Sequence, residues 1–261
     1  MTTTDPEPAP GNPFAAADVG AVYERGRPYH HPRTLARVRA LAGDSGEILD
    51  RALDVACGTG MSTVALAVLA GSVVGLDVSP EMMRVAPAAP NVTYMLGRAE
   101  HLPFAAGSFD AVTCSSGVHW FDQPRFFAEL SRVLRPGGWI GLYDHYFWGM
   151  PGVAGFRAWV QEYFERYPLP PRNLQVGDPR TETPVGFTVV ATDRFDDPIA
   201  MTVDEFADYQ ITVSNCVAAV ERGTPRAEVR DWLLSSTASL FGGSPQTVRF
   251  IGSVNVLRRL P

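Results

Sequence analysis

Five short apolar runs alternate with helix-forming segments between residues 51 and 143. The runs have the length of buried strands, and turn residues separate them from the segments that predict helices. Strands alternating with helices at this spacing predict a parallel sheet with right-handed crossovers, and therefore an α/β fold. The predicted strands are 51–56, 72–77, 91–96, 109–115 and 139–143.

The second half of the chain adds two predicted strands and three helical segments. Residues 187–195 and 246–257 predict strands that close the sheet as an antiparallel edge pair, and the helices predicted at 203–220 and 225–240 form a cap between them. Residues 149–167 predict a helix whose aromatic side chains recur at spacings of three and four. That stripe is typical of a core-facing surface first and of a substrate wall second.

Composition narrows the function classes. The chain has a net charge of −6 and contains no lysine, so diffuse binding to nucleic acid is not expected, because counterion release needs a cationic surface. No apolar run is long enough to span a membrane, and the first residues lack a charged-then-apolar signal, so we predict a cytoplasmic enzyme without a membrane partner. The cysteines have no metal-ligand spacing and are interpreted as reduced thiols.

The stretch that organises the chain is a strand, a tight turn and a helix start. It reads Leu53-Asp54-Val55-Ala56-Cys57-Gly58-Thr59-Gly60. Glycines let a ligand approach the main chain, and a helix N-terminus adds unpaired N–H groups. Asp54 would repel a pyrophosphate and attract an ammonium, and a third glycine at dinucleotide-site spacing is absent. S-adenosylmethionine is the obvious candidate, while an ordinary glycine turn remains the alternative.

A second acidic residue, Asp77, follows the glycine turn at a spacing that indicates a ligand contact. Asp77 ends the second predicted strand, roughly 20 residues beyond the glycine turn, where sites of this type place a ribose-binding carboxylate. The alternative is an acid near a helix start, since Ser79 and Pro80 predict a cap and a first helical residue. Both interpretations are compatible. The ends of the predicted strands carry Asp54, Asp77, Ala99, Glu100, Ser115, Ser116, Asp144 and His145, which should meet at one rim.

Three further motifs follow in order: Ala99-Glu100-His101-Leu102-Pro103-Phe104, Ser108-Phe109-Asp110 and Leu134-Arg135-Pro136-Gly137-Gly138. Together with the glycine turn and the Asp77 segment, they resemble class I S-adenosylmethionine-dependent methyltransferases. The closest group is the type 11 small-molecule enzymes, which include trans-aconitate methyltransferases. The likeness runs from about residue 23 to residue 144 and weakens beyond. Each motif alone is weak, and the full ordered set is specific.

This resemblance implies a Rossmann-like, mainly parallel seven-stranded sheet with helices on both faces, an antiparallel edge strand and helical cap additions. It implies a single domain at 14–261 after a disordered tail at 1–13. The cofactor-binding core is expected at about 45–146, and substrate-cap insertions at about 147–185 and 203–241. The implied activity is methyl transfer from S-adenosylmethionine to oxygen, nitrogen or carbon of a small molecule, with S-adenosylhomocysteine as product. The protein is expected to be a monomer or a homodimer.

The resemblance also implies roles for individual residues. The glycine turn is expected to bind the methionine end of the cofactor, and Asp77 the ribose. Residues after the second and third strands are expected to contact the adenine, and the N-terminal segment is expected to fold over the cofactor. Arg98 departs from the family pattern, which commonly has an acid there. The assigned cofactor residues are Tyr23, Arg27, Asp54, Gly58, Thr59, Gly60, Asp77, Val78, Met82, Ala99, Glu100 and Ser115.

The chemistry needs a nucleophile held in line with the carbon–sulfur bond. If that nucleophile carries a proton, His119 is the first candidate base and His145 the second, because imidazole titrates near neutrality. The alternative is that His119 only packs beside the cofactor. A carboxylate acceptor needs no base, and Arg27 is a candidate to hold it. No metal is expected. The predicted substrate residues are Trp120, Tyr146 and Trp148.

Two other functions share parts of this pattern. A nicotinamide-dependent oxidoreductase has the same strand, turn and helix, but Asp54 and the missing third glycine oppose it. A catalytically inactive, methyltransferase-like binding protein has the same fold.

Overall fold

The computed structural model describes residues 18–43, 46–170 and 183–261, so the tail predicted at 1–13 lies outside the described residues. Its strands are β1 (Leu49–Val55), β2 (Ala70–Asp77), β3 (Val92–Leu96), β4 (Phe109–Ser115), β5 (Leu134–Gly149), β6 (Phe187–Met201) and β7 (Gln246–Arg259). They form one sheet in the order β3-β2-β1-β4-β5-β7-β6. β1 to β5 run parallel, and β7 runs antiparallel to β5 and β6. The predicted Rossmann-like sheet and its antiparallel edge are confirmed.

The helices of the described residues are α1 (Val19–Gly26), α2 (His31–Leu41), α3 (Met61–Leu66), α4 (Pro80–Met83), α5 (Gln123–Val133), α6 (Phe156–Arg166), α7 (Val203–Gln210), α8 (Ser214–Glu221) and α9 (Arg226–Phe241), with a 3₁₀ turn at Val118–Trp120. The single helix predicted at 203–220 is therefore wrong. The Thr212 hydroxyl donates to the Tyr209 carbonyl at 2.6 Å, and this bond accompanies the turn that separates α7 from α8.

The strands on the antiparallel side are longer than the sequence predicts. β5 continues through Gly149 because β7 pairs with it far beyond the predicted end, and His145 faces Gly252 in that ladder. Residues 135–138 leave the pairing between Leu134 and Trp139, which fits the predicted sharp turn. As a result, His145 lies inside β5 rather than at the end of a strand, as predicted.

The core divides into clusters on the sheet and a separate cluster in a helical cap, which we define as α6 to α9. One sheet cluster packs Phe109, Phe126 and Leu130 between the strands and α5. The cap cluster joins aromatic residues of α6 and α7 to the end of β6 and the start of β7. The aromatic stripe predicted at 149–167 therefore lies in a core, with Trp159 and Tyr163 buried. Among the helices of the described ranges, no membrane-crossing span was found.

Candidate active site

A cavity of about 250 Å³ lies at the carboxyl ends of the parallel strands, where sheets of this kind bind ligands. The segments that follow β1, β2, β3 and β4 line it at 56–59, 78–79, 97–100 and 116–117. The segment joining α1 to α2 and residue Tyr209 of α7 line it as well. The segments that follow the first four parallel strands therefore meet around one concave site.

The glycine turn is held in a left-handed conformation. Gly60 has φ +77°, and a Cβ there would lie 2.4 Å from the Tyr94 hydroxyl. Gly58 has φ +53° and lines the cavity, and a Cβ there would lie 3.2 Å from the end of the Met82 side chain. Gly60 is thus needed for packing under the turn, whereas Gly58 leaves room on the ligand side.

The sequence predicts that Asp54 faces the ligand, but Asp54 is not in the cavity wall. Its carboxylate is fully buried and accepts hydrogen bonds from the hydroxyls of Ser62 (2.6 Å), Thr63 (2.7 Å) and Thr113 (2.8 Å). Burial raises its pKa, and the three hydrogen bonds oppose that effect. Asp54 is the last residue but one of β1 and lies behind the glycine turn. Its carboxylate therefore ties the start of α3 to β4 and does not line the cavity.

Asp77 lies where the sequence places it, at the end of β2 and in the cavity wall. Its Oδ2 accepts from the Gly58 N–H and its Oδ1 from the Ser79 N–H, each at 2.8 Å. Ser79 in turn caps α4 by accepting from the Met82 N–H. Ser79 therefore caps the helix while Asp77 joins the two loops, and the ribose-binding role of Asp77 stays a prediction. Burial raises the pKa of Asp77.

Arg27 is clamped between aromatic rings at the cavity wall. Its guanidinium carbon lies 4.7 Å from the Tyr23 ring centroid and 5.1 Å from that of Tyr209. One terminal nitrogen donates to the Thr212 carbonyl at 3.0 Å. The Nε of Arg27 is buried and has no hydrogen-bond partner among the described residues. The site therefore holds a fixed cation with an unused donor.

Three histidines meet at the cavity wall. His145 stacks on His30 at 4.2 Å between ring centroids and on Phe250 at 4.9 Å. Its Nε2 lies 2.8 Å from Oδ2 of Asp197, and the Arg33 guanidinium contacts the same carboxylate. His30 and His31 use Nδ1 toward the hydroxyls of Thr34 and Tyr143. His30, His31 and His145 all line the cavity.

Burial sets the charge of these imidazoles. It lowers the pKa of His30, His31 and His145, and for His31 the value falls to about 4. The three rings are therefore neutral near neutral pH. Within the described ranges, no cluster of three or more histidine, cysteine or acidic side chains has the arrangement of a metal site.

Known proteins match this chain over its core and beyond. A family model for a methyltransferase domain matches residues 53–142. An uncharacterized methyltransferase of Mycobacterium tuberculosis is 33% identical over 231 residues, covering 87% of this chain and 85% of the relative. The chain belongs to the class I S-adenosylmethionine-dependent methyltransferases. The finer likeness to trans-aconitate methyltransferases stays a prediction.

Two further matches locate this methyltransferase among its relatives. A solved structure from Anaeromyxobacter dehalogenans, provisionally named a type II methyltransferase, has a TM-score of 0.64 at 25% identity and covers 87% of this chain and 96% of that chain. A demethylmenaquinone methyltransferase of Renibacterium salmoninarum is 39% identical over 118 residues, covering 44% of this chain and 48% of the relative. Enzymes of this family generally take the methyl group from S-adenosylmethionine.

Most of the residues predicted to hold the methyltransferase's cofactor line the cavity; Asp54 and Gly60 do not. Arg98, which departs from the family pattern, also lines it and lies 3.7 Å from Glu100 through Nε and Oε2. The predicted cofactor residues in the wall are Tyr23, Arg27, Gly58, Thr59, Asp77, Val78, Met82, Ala99, Glu100 and Ser115.

The two candidate bases lie differently with respect to the cavity, and the role of each stays a prediction. His119 lies in the 3₁₀ turn, where its ring contacts the Trp120 ring at 4.9 Å, and it is absent from the cavity wall, whereas His145 lines the cavity. Of the predicted substrate residues only Trp120 is in the wall. Tyr146 and Trp148 alternate with His145 along β5 and point to the opposite face, where Trp148 is 56% exposed.

Sequence reasoning missed the methyltransferase's histidine cluster and Tyr209. Adjacent histidines at 30 and 31 were a visible signal, but their partner ring at His145 lies more than a hundred residues away in the chain. Asp197 and Tyr209 lie in the region where the resemblance is weak. No local spacing joins these residues, because the long β5–β7–β6 ladder brings them together.

Proposed function

We propose that this methyltransferase transfers the methyl group of S-adenosylmethionine to a small molecule bound beside the histidine cluster. The observation that carries the proposal is one cavity lined by two chemically different sets of residues, which we call its first and its second wall. The first wall comprises the glycine turn, Asp77 and Arg27, and the second comprises the imidazole and aromatic rings. The first suits a charged nucleoside, and the second suits a planar, partly apolar acceptor.

The residues of the first wall have the donors, acceptors and apolar surface that S-adenosylmethionine needs. The buried, unpartnered Nε of Arg27 supplies a donor for the carboxylate of an amino-acid tail. Gly58 leaves space at the main chain, and the Asp77 carboxylate faces the same space for hydroxyl donors. Met82 and Val78 add apolar surface for a flat base. These residues would bind and orient S-adenosylmethionine, which supplies an electrophilic methyl group.

The second wall argues for a small acceptor. Trp120, Phe121 and Tyr209 line it together with the imidazoles of His30 and His145. Flat rings offer stacking surface, and neutral imidazoles offer hydrogen bonds. The demethylmenaquinone methyltransferases among the relatives are named for a small-molecule substrate, which supports this class of acceptor. An acidic chain without lysine does not favour a nucleic-acid substrate.

Calorimetry on the full chain tests the cofactor assignment. We expect S-adenosylmethionine and S-adenosylhomocysteine to bind and NADH not to bind. The acceptor assignment is tested by incubating the protein with methyl-tritiated S-adenosylmethionine and either a small-metabolite extract or the RNA and protein fractions of the same cells. Label in the small-metabolite fraction supports the proposal. Binding of NADH alone, or label confined to RNA or protein, contradicts it.

A further inference from the structure

The His145–Asp197 pair has the arrangement of a proton acceptor and its orienting group. His145 Nε2 and Asp197 Oδ2 lie 2.8 Å apart, and both side chains are almost fully buried, at 2% and 5% exposure. We propose that His145, oriented by Asp197, accepts a proton from a phenol-type hydroxyl of the methyl acceptor. This inference rests on the proposed function and adds to it the acceptor class, the base and a positioning residue.

Rigid strands hold the pair. His145 lies on β5 opposite Gly252 of β7, and Asp197 lies on β6 opposite Phe250 of β7. Phe250 therefore stands beside both residues, and its ring lies nearly parallel to that of His145, at an interplanar angle of 6°. His30 covers the other face of the ring at 15°. A ring fixed on both faces can meet a ligand only through its edge.

The carboxylate distinguishes His145 from the other two histidines. His30 is paired with the Thr34 hydroxyl, and His31 with the Tyr143 hydroxyl. A hydroxyl orients an imidazole but offers no negative charge to the imidazolium that forms when the ring takes a proton. Asp197 offers that charge, in the relation of base and orienting group that recurs in proton-transfer sites. Asp197 is thus a positioning residue, and His145 is the catalytic one.

The surroundings keep His145 ready to accept a proton. Burial lowers its pKa, while the bond to Asp197 opposes that effect. The titratable and charged groups that act on it are His30, His31, Arg27 and Arg33 from the N-terminal segment and Asp197 from β6. In the neutral ring, Nε2–H donates to the carboxylate, so Nδ1 carries the free electron pair. Nδ1 has no hydrogen bond to any described residue.

A base at this position selects the acceptor class. A carboxylate acceptor is already a nucleophile and would gain nothing from a base. A phenol carries a proton that must leave, and its flat ring suits the wall formed by Trp120, Phe121 and Tyr209. In the balanced step, the phenol oxygen bonds to the methyl carbon, and the carbon–sulfur bond breaks with its electron pair going to sulfur. The hydroxyl proton moves to Nδ1 of His145 and then to water after the product leaves.

The experiment compares the full chain with three variants: His145→Gln, Asp197→Asn and the control Asp193→Asn. Asp193 lies on the same strand, pairs with Arg37 of the same helix as Arg33, and is not in the cavity wall. The probes are phenol, 4-nitrophenol and 2-naphthol, each added with S-adenosylhomocysteine for binding or with S-adenosylmethionine for turnover. The absorbance of 4-nitrophenol also reports directly whether the bound probe is ionised.

We expect at least one probe to bind and to be methylated by the wild type. With phenol and 2-naphthol, which are protonated near neutral pH, turnover of His145→Gln and Asp197→Asn should fall on the order of 100-fold there. The loss should shrink as the pH rises past the pKa of the probe, because the solvent then removes the proton. Affinity for S-adenosylhomocysteine should stay within about twofold of wild type, and Asp193→Asn should match the wild type throughout.

Other outcomes overturn the inference. If no phenol binds or none is methylated, while S-adenosylhomocysteine binds, the acceptor class is wrong and the cofactor assignment stands. If both variants keep full turnover, the pair moves no proton. If turnover and cofactor affinity fall together, or the defect is the same at every pH, the pair is structural. If the wild type does not bind S-adenosylhomocysteine at all, the proposed function itself fails.

Discussion

The backbone N–H of Gly58 donates a 2.8 Å hydrogen bond to Oδ2 of Asp77 and so joins the glycine turn after β1 to the end of β2. The other carboxylate oxygen accepts from the Ser79 N–H at the start of α4. One side chain thus sets the spacing of two loops that line the cavity. Its remaining lone pairs are the acceptors available to a ligand hydroxyl.

Asp77→Asn should weaken binding of S-adenosylhomocysteine about 10- to 100-fold. The amide would turn an N–H group toward one of the two backbone donors, and an unmade buried hydrogen bond costs about 1–3 kcal/mol. Calorimetry measures the affinity. Asp110→Asn is the matched control, since Asp110 also accepts a backbone N–H at 2.8 Å but lies at the start of β4, outside the cavity wall. Equal affinity of Asp77→Asn and wild type would remove the ribose assignment.

The parallel half of the fold could be predicted because its signals are local. Strand, glycine turn and helix start lie within a few residues of one another, and Asp77 follows at a spacing fixed by one crossover. The ladder of β5, β7 and β6 has no such local signal. Its length depends on pairing between segments a hundred residues apart, so the predicted strands end too early and His145 is placed at the end of a strand instead of inside it.

Arg27→Gln should weaken S-adenosylhomocysteine binding about 10- to 100-fold, on the scale of about 1.5–3 kcal/mol for a hydrogen bond to a charged group. It should leave binding of 5′-methylthioadenosine nearly unchanged, because that nucleoside lacks the amino-acid tail. Arg27 is the clamped guanidinium with the unused Nε donor. Calorimetry with both ligands measures the difference.

The control for Arg27 is Arg25→Gln, an exposed arginine in the last turn of α1, which ends one residue before Arg27. It should bind both ligands like the wild type. If Arg27→Gln loses both ligands equally, the arginine supports the fold of the N-terminal segment and does not hold the carboxylate.

The histidine cluster should make the protein sensitive to acid. Burial lowers the pKa of His31 from 6.5 to about 4. Between these values the unfolded chain binds a proton that the folded chain excludes, so stability is present above 6.5 and is lost as the pH falls toward 4. Over this interval, the free energy of unfolding of His31→Gln should therefore fall by on the order of 2 kcal/mol less than that of the wild type.

Urea unfolding at several pH values checks this prediction. Some acid sensitivity should remain in the variant, because the pKa values of His30 and His145 are lowered as well. Asp54 and Asp77 have raised pKa values and act with the opposite sign, but both are present in the variant and in the wild type, so they do not account for the difference. The exposed His101 provides the control His101→Gln. Identical acid sensitivity in His31→Gln and wild type would contradict the assignment.

Variants of Asp54 distinguish two roles for this residue: support of the glycine turn and contact with the cofactor. Asp54→Ala would leave the hydroxyls of Ser62, Thr63 and Thr113 without their buried acceptor, so we expect a loss of roughly 3 kcal/mol or more in unfolding free energy. Because the carboxylate lies behind the loop, Asp54→Asn should weaken S-adenosylhomocysteine and 5′-methylthioadenosine by the same factor. Asp50→Asn, an exposed carboxylate on the same strand, should change neither stability nor affinity. A loss confined to S-adenosylhomocysteine would instead show that Asp54 meets the ammonium group, as the sequence alone predicts.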